Sequence, residues 1–210
     1  MGVRKKYKIL ITVVVIIFTI TIACVMYFNR VPDRSIPKGD FIVSPAHGRV
    51  IHIEHVESEM VHFFKKDIEN ILDIQEMKPP YYIVVIEMNL KNIHAQRAPI
   101  DGEIIHQEHF SGAHKNAISS LNVEKLANIN EKNFLVFKNS EVTVGVAQVA
   151  GIAARRIQSF VDIGDVIHRG DVYGRILLGS QVVVILPANV ILDIHIGETL
   201  IDGESIIAQY

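Results

Sequence analysis

Ile176 to Pro187 reads ILLGSQVVVILP, a strand-forming run broken by Gly179, Ser180 and Gln181. Glycine tolerates backbone angles that other residues resist and serine bonds to nearby main chain, so a turn or bulge accounts for an arbitrary Gly-Ser. Ser180 becomes a nucleophile only beside a base, because a serine hydroxyl is weak at its free pKa. Histidine suits that role near neutral pH, and the chain has 10 of them. Two pairs, His52-x-x-His55 and His106-x-x-His109, have the look of metal ligands. On a strand, three-residue spacing points the two side chains to opposite faces, so no metal is expected at either pair. The single cysteine, Cys24, lies in an apolar run and leaves no cysteine-based zinc site or disulfide within one chain. No G-x-S-x-G elbow, phosphate loop or dinucleotide fingerprint is present, so acyl hydrolases, nucleotide enzymes and NAD enzymes lack support.

The elements that must position these residues begin with an anchor. Ile9 to Phe28 is a stretch of 20 residues without a charge, about what a helix needs to cross a hydrocarbon core of roughly 30 Å. Four basic residues precede it and Arg30, Arg34 and Lys38 follow, too even a balance to set orientation. The stretch is long for a signal peptide and no A-x-A-like site follows it, and the faint lipoprotein-like Thr21-Ile22-Ala23-Cys24 ranks behind an uncleaved anchor. Residues 1–28 are therefore expected to be a basic segment plus a single-pass membrane anchor, most simply in the cell membrane. Residues 29–40, with two prolines, read as a linker. From Phe41 onward FIV, RVIHIE, YYIVVIEM, GEIIHQ, NFLVFK, EVTVGVAQVA and VVVILP predict a mainly β domain with some helix (α+β) over 41–210. Within it, Val61, Phe64, Ile68, Ile71 and Leu72 fall at helical spacing, predicting a helix between Glu57 and Gln75 that Pro79-Pro80 stops. A second helix is expected over about Asn116 to Ala127. The net charge of -2 gives no reason to expect nucleic acid.

A weak internal repeat sits in the last third: Ile163 to Asp171 and Ile196 to Glu204 share their glycine spacing, with an acid after each glycine. Tight turns between short strands suit such glycines. The pattern resembles the hairpins of biotinyl and lipoyl domains, the barrel-sandwich architecture, without their modified lysine.

Three segments carry the remaining functional types: VSPAHGRV (Val43 to Val50), NIHAQRAPIDGEI (Asn92 to Ile105) and LLGSQVVVILP (Leu177 to Pro187). Taken together, and in order, they resemble phosphatidylserine decarboxylase proenzymes of the short bacterial and archaeal type, whose motifs read S-P-A-D-G, N-V-H-x-N-R-A-P and F/L-G-S. The resemblance covers nearly all of the chain. It implies that the Ser180 hydroxyl attacks the Gly179 carbonyl, that the chain is cut between 179 and 180, and that residue 180 becomes a pyruvoyl group. Glycine at 179 would leave the attacked carbonyl unobstructed, and His94 matches the family's histidine as the base. The pyruvoyl group would withdraw electrons from the substrate so that carbon dioxide leaves, without metal or nucleotide. Arg97, Arg155 and Arg156 are candidates for lipid phosphate, since arginine offers a planar bidentate donor set. The expected partners are a phospholipid membrane, a phosphatidylserine-like lipid, the large and small chains of one precursor for each other, and a second copy of the chain.

His47 stands where the family motif has aspartate. A neutral imidazole accepts a hydrogen bond but brings no negative charge to stabilise an imidazolium at His94, so two outcomes are open: His47 is itself a catalytic residue, serving as the base near neutral pH with a slow or altered maturation, or the protein stays uncut. The leading expectation is a membrane-anchored decarboxylase making phosphatidylethanolamine from phosphatidylserine, with archaetidylserine a rival substrate. The rival from another class is an uncut, non-catalytic family member that binds lipid or a partner. A secretion-type adaptor behind one membrane helix ranks last, because it gives no reason for NIHAQRAP or LGS.

Overall fold

The computed structural model describes residues 2–57, 60–65, 68–73, 77–111, 131–150, 157–176 and 180–210. An apolar helix, α1 (Gly2–Phe28), leads the chain, and its portion Tyr7–Phe28 is long and apolar enough to cross a membrane. Sixteen strands follow among the described residues. They are β1 (Phe41–Val43), β2 (Gly48–Val56), β3 (Met60–Lys65), β4 (Ile68–Asp73), β5 (Tyr81–Glu87), β6 (Ala95–Arg97), β7 (Gly102–Phe110) and β8 (Lys132–Lys138). Next come β9 (Thr143–Val149), β10 (Ile157–Ser159), β11 (Val166–Ile167), β12 (Val172–Ile176), β13 (Gln181–Pro187), β14 (Ile191–Leu192), β15 (Thr199–Leu200) and β16 (Ile206–Gln209). The expected mainly β architecture behind one apolar helix is what the chain adopts.

An eight-stranded antiparallel sheet runs β11-β7-β8-β9-β13-β5-β2-β15, and two three-stranded sheets, β1-β16-β14 and β10-β12-β6, accompany it. Its central strands are apolar on both faces. Val84, Leu135, Val146 and Val184 belong to one buried cluster with Tyr173 of β12 and Ile207 of β16. Ile83, Val136, Ala147 and Ile185 belong to a second cluster with Met77. Continuous apolar strands such as β13 are what burial on two faces demands.

The helix expected between Glu57 and Gln75 is not formed: β3 and β4 make a hairpin, with Val61 opposite Leu72 and Lys65 opposite Ile68. Short apolar runs satisfy both periods, and here the aromatic and β-branched content of VHFF and of Ile68 to Leu72 favours cross-strand pairing. The helix expected over Asn116 to Ala127 lies outside the described residues.

The large sheet is built twice over. Residues 44–56, SPAHGRVIHIEHV, and 98–110, APIDGEIIHQEHF, have the same spacing and share Pro, Gly, Ile, His, Glu and His. Both copies carry a bulge at the same place, between Val50 and His52 and between Ile104 and His106. Each also clasps one copy of the glycine repeat. Gly197 N donates to Val50 O and Gly203 N to Ser44 O, while Gly164 N donates to Ile104 O and Gly170 N to Ala98 O. All four of these glycines have positive φ, the conformation their turns require. Sheet order follows: β15-β2-β5-β13 mirrors β11-β7-β8-β9.

The segment 29–40 is held along its length. Pro32 O accepts from Arg97, Arg34 bonds Asp202, Ser35 N donates to Glu204, and Gly39 O and Phe41 O accept from Arg169. Ile36 packs where a side chain at Gly170 or Gly203 would otherwise sit.

Candidate active site

The loop from Asn89 to His94 and the start of β13 meet at one end of the large sheet. Met88 N donates to Ser180 O at 3.0 Å, which extends the β5–β13 ladder by one residue beyond the Glu87–Gln181 pair. Ser180 is buried, and its Oγ donates to Met88 Sδ at 3.3 Å. The same sulfur receives Gln96 Nε2 at 3.8 Å, and Gln96 Nε2 also donates to His94 O at 2.8 Å. Behind Gln96 a chain of amides continues: Gln148 Nε2 donates to Gln96 Oε1 and Asn133 Nδ2 to Gln148 Oε1, both at 2.9 Å. Buried amides without partners would be costly, so the chain fixes Gln96, and through it the His94 backbone and the thioether.

His94 is 1% exposed. Its Nδ1 lies 3.0 Å from the Asn92 carbonyl, its carbonyl accepts from Ile176 N, and its ring meets Phe28 edge-on at 5.8 Å. A carbonyl only accepts, so Nδ1 must carry the proton and Nε2 the lone pair. That Nε2 is buried with no hydrogen-bond partner. Burial, opposed by the Asn92 carbonyl and reinforced by Arg30, Arg175 and His47, lowers the His94 pKa. A neutral imidazole with a free lone pair is the form a general base needs.

His47 sits on the other side of the loop, and its Nδ1 accepts from Ile93 N at 3.4 Å. Burial lowers its pKa too, with Asp202 opposing and Arg34 and Arg30 reinforcing. Asp202 is fully buried and already shared: Arg34 Nη2 reaches it at 2.6 Å and Arg97 Nε at 2.8 Å. Arg97 spends its other donors on Gly170 O and Pro32 O at 2.7 and 2.6 Å. The structure therefore brings Ser180, His94 and His47 to one corner and places Arg97 in the clamp on segment 29–40. Gly179, Arg155 and Arg156 lie outside the described residues.

A pyruvoyl group made from Ser180 fits these surroundings: a buried residue, a thioether neighbour and one unpartnered imidazole nitrogen. Among the described residues no group of three or more His, Cys, Asp or Glu is placed to hold a metal ion. His52 and His55 diverge, the first 3.0 Å from Glu54 and the second against Tyr82. Sequence reasoning missed Met88, Gln96, Phe28, Arg30 and Arg175. Gln96 stood inside the matched NIHAQRAP stretch and Arg30 just beyond the apolar run, whereas Met88 gave no signal.

The sequence profile of the family described as phosphatidylserine decarboxylase matches residues 22–208. A protein of Methanocaldococcus jannaschii, provisionally named archaetidylserine decarboxylase proenzyme, is 37% identical over 210 residues, covering 99% of this chain and 97% of its own. A Methanothermobacter thermautotrophicus protein with the same provisional name is 34% identical over 204 residues, 93% of this chain and 84% of that one. The phosphatidylserine decarboxylase proenzyme of Burkholderia ambifaria is 33% identical over 194 residues, 91% and 81% of the two chains. With a profile that spans most of the sequence and relatives aligned nearly end to end, this chain belongs to the phosphatidylserine decarboxylase family.

Proposed function

We propose that the chain is a proenzyme that cuts itself between Gly179 and Ser180 and then decarboxylates the serine headgroup of a membrane phospholipid. The observation that carries this reading is the fixed tautomer of His94, whose buried Nε2 has a lone pair and no partner. Ser180 Oγ adds to the Gly179 carbonyl carbon. His94 Nε2 takes the hydroxyl proton and returns it to the Ser180 nitrogen as the C–N bond breaks, so the amide becomes an ester. Loss of the Ser180 Cα proton then breaks the Cβ–O bond and frees the Gly179 carboxylate. Water displaces the nitrogen as ammonia, leaving a pyruvoyl group at the head of a small chain, Ser180 to Tyr210.

That group, once present, withdraws electrons from the carbon that carries the substrate carboxylate, which lets carbon dioxide depart. His94 Nε2 is the atom placed to hand a proton back. Residues 1–28 anchor the enzyme beside its substrate, and residues 29–40 tie that anchor to the catalytic unit 41–210, with Arg97 serving the tie. Arg155 and Arg156 remain candidates for contact with lipid phosphate. Phosphatidylserine and archaetidylserine share the headgroup that reacts, and the archaeal relatives favour the second tail while the Burkholderia relative favours the first.

One observation favours a non-catalytic reading: Ser180 Oγ bonds Met88 and His94 Nε2 bonds nothing, so nucleophile and base are not engaged. Purified full-length protein given phosphatidylserine in mixed micelles is expected to form phosphatidylethanolamine, and Ser180→Ala to form none. Equal turnover by both proteins would end the proposal.

A further inference from the structure

Two guanidinium groups crowd the corner occupied by His94, and among the described residues no carboxylate bonds to either. Arg30 stands two residues beyond α1. It donates Nη1 to Tyr27 O and Nη2 to Lys91 O, each at 2.5 Å, and lies 3.7 Å over the Tyr27 ring. Arg175, paired with Ala95 across β12 and β6, reaches Asn29, giving Nη1 to its side-chain oxygen and Nη2 to its carbonyl at 3.3 Å. Arg175 Nε is buried without a partner. Phe28, which touches the His94 ring, immediately precedes the two residues that these guanidiniums grip and occupy.

The contrast with the neighbouring pair is chemical. Arg34 and Arg97 share the buried Asp202, so each of that pair has a carboxylate partner. Among the described residues Arg30 and Arg175 bond only carbonyls and an amide, and both act on His94 as positive charge that lowers its pKa. Partly buried cations without an acid are unfavourable unless an anion completes them. Their depth identifies the anion: α1 ends at Phe28, so residues 29 and 30 leave the hydrocarbon at the level where phospholipid phosphates lie.

We propose that Arg30 and Arg175 bind the phosphodiester of the phospholipid substrate and so aim its headgroup at Ser180 and His94. The inference rests on the decarboxylase reading of this site. A guanidinium fork matches phosphate oxygens, and each arginine keeps N–H donors beyond the two it spends on the protein. In phosphatidylserine a short carbon link joins that phosphate to the reacting amine and carboxylate, so holding one places the other.

The test uses full-length Ser180→Ala in detergent micelles, which does not depend on self-cleavage. Calorimetric titration with dihexanoylphosphatidylcholine, a phosphodiester without a primary amine, should show saturable binding. Adding Arg30→Gln or Arg175→Gln should weaken it about tenfold each, and Arg30→Lys, which keeps charge and loses the fork, should fall between. Dihexanoylglycerol, which lacks phosphate, should respond to none of these changes. Unchanged affinity in the double Gln variant overturns the proposal, as does displacement by inorganic phosphate at equal concentration, which would mark a free-anion site. Failure of the decarboxylase reading shows separately, as wild-type protein that stays whole while this titration still discriminates.

Discussion

The two halves of the large sheet end in the same ladder and differ in what closes it. In one half Lys138 pairs with Thr143, Asn139 N donates to Val142 O at 3.1 Å, and the chain turns directly between them. Asn139 Oδ1 seals that turn by accepting from Glu141 N and Val142 N, both at 2.8 Å. In the other half Glu87 pairs with Gln181, Met88 N donates to Ser180 O at 3.0 Å, and the turn is absent. The chain departs at Met88, builds the His94 loop and much else, and returns at Ser180. Where one half has a self-satisfied amide, the other has a hydroxyl resting on a weak thioether acceptor beside an imidazole with an idle nitrogen. On the proposed reading, the nucleophilic serine occupies a structurally ordinary place, the end of a hairpin strand, from which the turn has been removed.

The halves also differ at the glycine turns, which suggests where each is most vulnerable. Asp202 and Arg169 hold equivalent places before Gly203 and Gly170. The first is a fully buried acid between two arginines, and the second clamps two carbonyls at 2.7 Å. Asp202→Ala strands two guanidiniums and should lower unfolding free energy by about 3–5 kcal/mol. Arg169→Ala should lower it by only about 1.5–3 kcal/mol. Denaturant unfolding of both variants checks the order, and equal losses would break the contrast.

A smaller effect is expected where the copies meet in sequence. His47 and Asp101 are equivalent, and Asp101 Oδ1 accepts from Arg169 N at 3.1 Å as a turn cap, a structural task. Restoring a carboxylate at the site with His47→Asp should speed appearance of the small chain about tenfold, since roughly 1.4 kcal/mol of imidazolium stabilisation gives that factor. Asp101→His should leave the rate alone. A time course on gels separates the two, and a response to both variants would mean a general effect on folding.

The smallest effect is the pH response. His94 and His47 have pKa values lowered below 6.5 in the folded chain. The unfolded chain therefore binds more protons just below pH 6.5, and the stability these rings contribute is complete above 6.5 and lost as pH falls through their folded values. Self-cleavage should follow the same sign, flat above 6.5 and declining below as His94 Nε2 is protonated. A rate that inflects above 6.5 would contradict the neutral, buried base.

Much of this was readable from residue types. The 20 uncharged residues, the apolar strands and the four repeat glycines specify the long apolar helix, the two-faced sheet and the turns almost locally. The hairpin of β3 and β4 was not, because Val61 to Leu72 satisfies both the helical and the strand period and pairing decides between them. The doubled segment at 44–56 and 98–110 was legible in the spacing of Pro, Gly and the His-x-Glu-His runs, whose histidine pairs have the look of metal ligands but the strand geometry of a repeat. Met88 and Arg175 carry no motif, and Gln96 lies in NIHAQRAP without a role that its type announces. Their roles arise from what folding sets beside Ser180 and His94, across 92 residues in the case of Met88.

The central claim is that His94 Nε2 drives scission of the bond before Ser180. Intact mass of purified full-length protein and of His94→Gln, followed over time, tests it most directly. The account predicts two wild-type chains, the smaller of 31 residues (210 minus 179) with a blocked, hydrazide-reactive first residue, and one uncut chain for the variant. A wild-type protein that remains a single unmodified chain, or a variant that cuts as fast, would contradict it.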